Sequence, residues 1–435
     1  MADKDGIAGF SLTRIAPAKI NLALHVVGQR ADGYHLLESL VTFADAGDRI
    51  GFSISTEDRF TVSGRFSVDL PLTGEAAASN LVLKARDLLR AYLTDRGIKA
   101  GPVHLHLEKN LPVASGIGGG SADAAATLLG LLELWETSVH IDKLKQIAVK
   151  LGADVPMCLE GRPLIARGIG DEIERFAEFP SFPMLIVNPL KAVSTPVIFR
   201  MLASKTNPPL AVPQVREDRP LATTDWQDAI TGMRNDLEPA ARAIEPEIDM
   251  VDNALGASGA RVRRMSGSGA SYFAIYGTTA ERDTAALAMS HQHPDWYILS
   301  TDSIPAKNLK LPRMRAQFID YLEGLADHGY QKENWQVFRE GMTQYDELDY
   351  TIHFLYDDTD LSRDAKSYVG DILYDMDEVV AVEQIIASLD AIFDQYGLAE
   401  TDRGYINKPE WTSVVKMAAR ALPIFRANGR GSLTG

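Results

Sequence analysis

The first clear pattern in the chain is alternation. Between residues 15 and 27, Ile20, Leu22, Leu24 and Val26 fall on one side of an extended chain, and Lys19, Asn21 and His25 on the other. A period of two predicts a strand. From residue 80 to 93 the period lengthens, with leucines at 81, 88 and 89, and predicts a helix. Residues 103–107 read as a short strand, 121–135 as a helix, and 141–151 as a second helix stopped by Gly152. Further strands are predicted at 183–187 and 271–276, and the Pro-rich polar run 205–224 reads as a loop or insertion. This mixture is α+β, with no internal repeat.

The pattern changes near Ile304-Pro305-Ala306-Lys307. Beyond it, glycine-rich turns vanish and acidic, aromatic, helix-favouring sequence takes over. Helices are predicted at 313–326, 333–342, 365–375, 377–396 and 411–426. We read 304–311 as a linker and 312–435 as a separate all-α domain.

Composition narrows the function. The chain has 435 residues, 46% of them hydrophobic, and a formal charge of -15. From residue 307 onward there are about 22 acids against about 14 Lys plus Arg, so the tail carries roughly half of that charge. An acidic chain is a poor general binder of nucleic acid or anionic membrane, and both are excluded as partners. An anionic small molecule is still allowed if local donors hold it. No apolar run reaches the length of a membrane helix, the start Met1-Ala2-Asp3-Lys4-Asp5-Gly6 lacks the features of a targeting peptide, and a cytoplasmic protein is expected. The single cysteine, Cys158, permits no intrachain disulfide and reads as a buried small hydrophobe.

The densest chemical signal is Leu111-Pro112-Val113-Ala114-Ser115-Gly116-Ile117-Gly118-Gly119-Gly120-Ser121, followed by the helix former Ala122-Asp123-Ala124-Ala125-Ala126. Glycines let backbone approach a ligand, and the first helical turn offers unpaired N–H groups and partial positive charge. Together they make an anion cradle suited to nucleotide phosphates. No Gly-Lys-Ser/Thr closes the run, so it is not a P-loop, and the dinucleotide fingerprint fits poorly. A mobile surface loop is the plain alternative. Asp123 in the first turn favours the helix but would repel nucleotide unless it turned away or was reached through Mg²⁺; we do not assign it as a metal ligand.

Other candidates each admit two readings. Lys19 is either a solvated surface lysine or a charge directed into a cleft with Asn21 beside it. Asp154, in Leu151-Gly152-Ala153-Asp154-Val155-Pro156, is either a turn cap or an acceptor for a substrate proton. Gly267-Ser268-Gly269 is an ordinary turn, or a second small-residue loop closing over phosphate. Tyr34 and His35 follow a turn-like stretch and suit base recognition, although a lone histidine is more often structural.

Pro17-Ala18-Lys19-Ile20-Asn21-Leu22, Gly33-Tyr34-His35, the glycine loop, Leu151 to Pro156 and Ser266-Gly267-Ser268-Gly269-Ala270 form one ordered set. In order and spacing, over residues 10–300, this set closely resembles the GHMP kinase superfamily. Its opening and Leu-Gly-Ala-Asp-Val-Pro segments set it apart from mevalonate, homoserine and galactose kinases. The resemblance implies a two-lobed fold: a ribosomal protein S5 domain 2-like lobe over 1–165 and a ferredoxin-like lobe over 166–303. It implies ATP-dependent phosphorylation of a 2-hydroxyl on a cytidine-diphosphate-linked methylerythritol, in the non-mevalonate isoprenoid route, with Mg²⁺ carried on ATP.

By position, the resemblance makes Asp154 the catalytic base and Lys19 its partner. Pro112, Val113, Ala114, Ser115, Gly116, Ile117, Gly118, Gly119, Gly120, Ser121 and Ala122 would hold the phosphates, with Asn80 and Lys109 near adenosine. Asn21, Tyr34, His35, Thr195 and Phe199 match substrate positions, with Tyr34 and Phe199 sandwiching cytosine while His35 reads its edge.

Nothing in the resemblance covers 310–435. Phe318, Tyr321, Trp335, Phe338, Phe354 and Phe393 there fall on helical segments and read as core. Tyr356-Asp357-Asp358-Thr359-Asp360 reads as solvated loop, because its spacing fails a Ca²⁺ loop. A homodimer contact or a protein partner is the expectation for such a module. Two functions therefore compete: an active small-molecule kinase with an accessory helical domain, and a silent nucleotide-binding scaffold whose tail is the interaction module.

Overall fold

The computed structural model describes residues 7–70, 80–137, 139, 141–176, 178–213, 221–306, 309, 311–335, 348–374, 376–398 and 400–428. The chain forms two compact units, one of Met1–Leu131 with Asp142–Ala306, the other of Leu132–Ile141 with Lys307–Gly435.

The first sheet is built on two long strands, β1 (Leu12–Gln29) and β2 (His35–Ile54), paired antiparallel along their length. Next come β3 (Arg59–Ser63), helix α1 (Leu81–Thr94) and β4 (Val103–Glu108). Helices α2 (Gly119–Leu134), α3 (Ile141–Leu151) and α4 (Val155–Glu160) follow, then β5 (Leu164–Arg167) and β6 (Glu172–Arg175). The sheet order is β3-β4-β2-β5-β6, with β1 on β2, and only β3–β4 is parallel.

The second sheet opens with β7 (Pro183–Asn188) and continues through α5 (Thr195–Arg200), α6 (Thr223–Thr231), α7 (Glu238–Ile244) and α8 (Glu247–Ala257). It is completed by β8 (Val262–Met265), β9 (Tyr272–Ile275), α9 (Thr279–Gln292) and β10 (Tyr297–Asp302), in the antiparallel order β10-β7-β9-β8. A capping box starts α9, where Thr278 Oγ1 accepts from Glu281 N and Glu281 Oε2 accepts from Thr278 N.

Strand β1 departs from the half-solvated strand its alternation suggests. Ile20 and Leu22 pack with Met184, Ile186 and Phe273, while Leu24 and Val26 pack with Leu185, Val187 and Tyr272. Lys19, Asn21 and His25 are each only 3% exposed. Each fully buried large apolar side chain contributes roughly 1.5–3 kcal/mol. That packing brings the polar residues of β1 into the interior with it.

The second unit is helical. It contains α10 (Pro312–Ala326), α11 (His328–Asn334), α12 (Leu348–His353), α13 (Leu361–Asp364), α14 (Met376–Tyr396), α15 (Asp402–Ile406) and α16 (Trp411–Asn428). Phe318, Leu322, Val382, Leu389, Val414 and Leu422 share one core. Within it, Arg315 and Glu378 are fully buried and joined by two hydrogen bonds of 2.8 and 2.7 Å, and the guanidinium also donates to the Ile372 and Phe425 carbonyls. Also in this unit, Glu136 accepts from Lys416 and Arg420.

Three predictions for this region need correction. A helix over 365–375 does not form: a 3₁₀ turn at Ala365–Tyr368 gives way to Gly370, whose φ of +91° ends helical geometry. Of the predicted 333–342 helix, Glu333 and Asn334 are helical at the end of α11, and 336–347, including Phe338, lie outside the described residues. Phe318, Trp335 and Phe354 are core, and Tyr321 and Phe393 pack against it. The loop reading of 356–360 is corrected in part: Phe354–Asp358 form a π-helical turn and Thr359 is buried, while Asp357, Asp358 and Asp360 are exposed.

Candidate active site

The glycine loop is fixed from three directions. Gly116 and Gly118 take φ of +78° and +65°, the left-handed region that glycine tolerates. A Cβ on Gly116 would lie 2.5 Å from the Ser266 carbonyl oxygen, and one on Gly118 would lie 3.0 Å from the Lys19 side chain. The loop thus packs backbone to backbone on 266–269 and directly over Lys19. Hydrogen bonds hold it there: Lys19 N donates to Ile117 O at 2.9 Å, Ser266 Oγ to Gly116 O at 3.0 Å, and Ser271 N to Ser115 O at 3.2 Å. Non-glycine Ala114 also has a positive φ, 53°. Helix α2 begins at Gly119, so its first turn leaves N–H groups without intrahelical acceptors.

Lys19 Nζ lies 2.8 Å from Asp154 Oδ2 and 3.0 Å from Asn21 Oδ1. Asn21 is held in turn by Ser39 Oγ, which accepts from its Nδ2 at 2.7 Å, and by Ser266 Oγ, which accepts from its backbone N–H at 3.0 Å. Asp154 occupies the cap position of α4, but its side chain makes no cap hydrogen bond. The pair is asymmetric: the Lys19 side chain is 4% exposed and that of Asp154 is 40% exposed. Behind it, burial first and then Asp154 push the Cys158 thiol far above its ordinary value.

These groups face a cavity of about 1040 Å³. Of the sequence-derived site residues, Lys19, Asn21, Tyr34, His35, Asn80, Lys109, Asp154, Thr195, Phe199, Gly267 and Ser268 line it, together with 112–116 and 118–121. Ile117, Ala122 and Gly269 do not. Ile117 and Ala122 are buried behind the loop, and a Cβ on Gly269 would meet Met265 Sδ at 2.6 Å.

At one end, the His35 ring lies against Phe199 with centroids 4.8 Å apart, whereas Tyr34 is 62% exposed. Burial, followed by Lys205, holds the His35 ring below its ordinary value and so neutral. His35 Nε2 is buried with no hydrogen-bond partner among the described residues. Thr195 Oγ1 and Ser268 Oγ are 2.6 Å apart. Asn80 Oδ1 accepts from Val82 N and caps α1 at the wall of the cavity.

Several positions that shape the site have no distinctive local sequence. Asn235 Nδ2 donates to Met265 O and Gly267 O, both at 2.8 Å, and fixes the second loop. Buried Arg264 donates to Leu22 O and Met233 O. Asp48 receives Lys109, which also pairs with Asp123. Ser266 stands inside a quoted motif, but only the fold shows that it bridges β1 and the glycine loop. Among the described residues, no group of three or more His, Cys, Asp or Glu side chains forms a metal site, and no helix is long and apolar enough to cross a membrane.

Known proteins share sequence and fold with the first unit. Residues 80–162 match the GHMP kinases N terminal domain and 219–295 the GHMP kinases C terminal domain. The 4-diphosphocytidyl-2-C-methyl-D-erythritol kinase of Sinorhizobium medicae is 60% identical over 297 residues, which is 68% of this chain and 97% of that protein. The chain belongs to the 4-diphosphocytidyl-2-C-methyl-D-erythritol kinase family. The enzyme of that name from Rhizobium meliloti is likewise 60% identical, over 68% of this chain and 96% of its own length. A crystal structure of 4-(cytidine 5'-diphospho)-2C-methyl-D-erythritol kinase superposes with a TM-score of 0.54 at 30% identity, covering 67% of this chain and 99% of that one. Two-lobed GHMP architecture and small-molecule kinase class follow for the first unit. In this member of the family, residues 309–431 match a domain of unknown function, DUF7945.

Proposed function

We propose that this kinase transfers the γ-phosphoryl group of ATP to the 2-hydroxyl of 4-diphosphocytidyl-2-C-methyl-D-erythritol, giving the 2-phosphate and ADP, in cytoplasmic isoprenoid precursor synthesis by the non-mevalonate route. The observation that carries it is the Lys19–Asp154 pair, 2.8 Å apart, standing beside the glycine loop in one cavity. A scaffold needs a phosphate cradle but has no use for a half-exposed carboxylate beside a buried ammonium.

In this reading a bond forms between the acceptor oxygen and the γ-phosphorus, and the bond from that phosphorus to ADP breaks. The hydroxyl proton passes to Asp154. Lys19, held by Asn21, faces the developing alkoxide and neutralises it, a role that depends on preorganisation. The N–H groups at the start of α2 receive phosphate oxygens. Mg²⁺ would arrive carried on ATP. When bound it offsets phosphate charge in the loose transition state.

Recognition of the acceptor falls to the other end of the cavity. Neutral His35 has a free Nε2 to pair with an exocyclic amine or ring edge, and Phe199 and Tyr34 offer aromatic faces to cytosine. Thr195 and Asn21 contribute polar contacts. The test is ADP release measured with and without the cytidylyl acceptor. Release that requires the acceptor is expected; acceptor-independent release overturns the kinase reading, and nucleotide binding without turnover returns it to a silent scaffold.

A further inference from the structure

A buried charge cluster lies beneath the glycine loop, and the proposed phosphoryl transfer does not use it. Lys109 Nζ donates to Asp48 Oδ2 at 2.5 Å and to Asp123 Oδ2 at 2.7 Å, and all three residues are 3% exposed or less. Asp48 does more than pair with a lysine. Its Oδ1 accepts from the backbone N–H of Asn110 at 2.6 Å and of Leu111 at 2.8 Å, the two residues that lead into the loop. The Lys109 backbone is pinned as well, with N donating to Ser63 O at 2.7 Å and O accepting from Phe66 N at 2.9 Å.

The cluster touches the first turn of α2 with nothing between. A Cβ on Gly119 would lie 3.1 Å from Lys109 Nζ and 3.5 Å from Asp48 Oδ2. Position is therefore passed from β2 and β4 through Asp48 and Lys109 to Gly119 and Asp123, at the two ends of the first helical turn. Electrostatics alone would not select this arrangement. One ammonium against two carboxylates supplies no net positive charge behind an anion site, so the cluster's charge does not favour a polyphosphate. Burial first, and Asp48 after it, lift the Asp123 carboxyl well above the usual carboxylate range despite Lys109.

We infer that Asp48 is a positioning residue of the nucleotide seat, fixing the entry to the glycine loop and the first turn of α2 through Lys109 and the Asn110–Leu111 backbone. The inference rests on the proposed phosphate role of that loop. It separates geometry from charge: loss of a negative charge alone would leave nucleotide binding unchanged or tighter, and loss of positioning weakens it.

The test uses the full-length protein, with MgADP binding followed by calorimetry and the acceptor KM measured separately. Asp48→Ala is expected to weaken MgADP at least about tenfold while the acceptor KM moves less than about twofold. Asp48→Asn, which keeps an acceptor oxygen and leaves Lys109 balanced against Asp123, is expected to weaken MgADP by about threefold or more. If Asp48→Ala does not fold, Asp48→Asn decides alone. Unchanged or tighter MgADP in Asp48→Asn overturns the inference, and so does an equal loss for both ligands, the mark of a merely structural role. Failure of the unaltered chain to bind MgADP would remove the phosphate reading itself, and with it this inference.

Discussion

The two units both bury ionised groups, and they do so for different ends. In the helical unit, Arg315 and Glu378 are fully enclosed, doubly hydrogen-bonded, and backed by the Ile372 and Phe425 carbonyls and the Tyr374 N–H. In the kinase unit, buried Lys19 is paired with a carboxylate that is 40% exposed to a cavity, and buried Asp123 keeps one oxygen, Oδ1, without a hydrogen-bond partner among the described residues. A closed pair can fix the packing of three chain segments and do nothing further. An open pair has capacity left for something that is not yet bound. Satisfaction of buried charge, more than its presence, separates scaffold from site.

The sharpest way to break this contrast is Asp154→Asn. Turnover is expected to fall by about 10²- to 10⁴-fold with MgADP affinity nearly unchanged. Full activity would remove Asp154 as proton acceptor and make the open pair as inert as the closed one. The converse experiment is Glu378→Ala, which strands Arg315 in the helical core. Chemical denaturation followed by tryptophan emission should show a loss of about 3–5 kcal/mol, while Arg315→Met/Glu378→Leu recovers most of it. Both KM values should stay level, and a kinetic defect would mean that the closed pair also serves catalysis.

Smaller effects sharpen the picture inside the cavity. Gly118→Ala places a Cβ at φ +65° and 3.0 Å from the Lys19 side chain. A strain of about 1–2 kcal/mol, relieved by displacement of the loop, is expected to appear as a roughly tenfold loss in kcat/KM for ATP and as a fall of a few degrees at most in folding midpoint. The smallest effect is a pH response. His35 is held below its ordinary 6.5, first by burial and then by Lys205. A depressed value in the folded state keeps the ring neutral above 6.5, and as pH falls through the folded value the ring protonates and Nε2 can no longer accept. The acceptor KM should therefore rise as pH falls below 6.5 while the ATP KM stays flat, and His35→Gln should abolish the dependence. A parallel rise in both would point away from His35.

Elements with their own punctuation were legible in the sequence. The helix ending at Leu151 is stopped by Gly152, and α14 spans a long apolar period that survives its acidic residues. The glycine loop announced itself by composition. Strand β2 did not, because Asp45, Gly47 and Asp48 interrupt its apolar run, yet the strand continues to Ile54 by pairing with β4. The burial of Lys19 was likewise hidden. Its partner Asp154 lies far along the chain, and no local period tells a lysine that faces solvent from one that faces a cleft. Asp48 carries no local signal for the same reason, since its meaning comes from Lys109 and the Asn110–Leu111 amides in the segment that follows β4. Short-range pattern finds elements; the site depends on contacts between distant ones.

Cys158 has a practical consequence. It is the chain's sole thiol, 6% exposed, and its enclosure beside Asp154 disfavours the thiolate. Maleimide-type reagents should therefore pass over the unaltered protein. A cysteine introduced at exposed Val113, which is 46% accessible and sits on the loop itself, would then be the single reactive handle. A fluorophore or spin label placed there could report, molecule by molecule, how the loop responds as nucleotide arrives and leaves, with the native cysteine left in place.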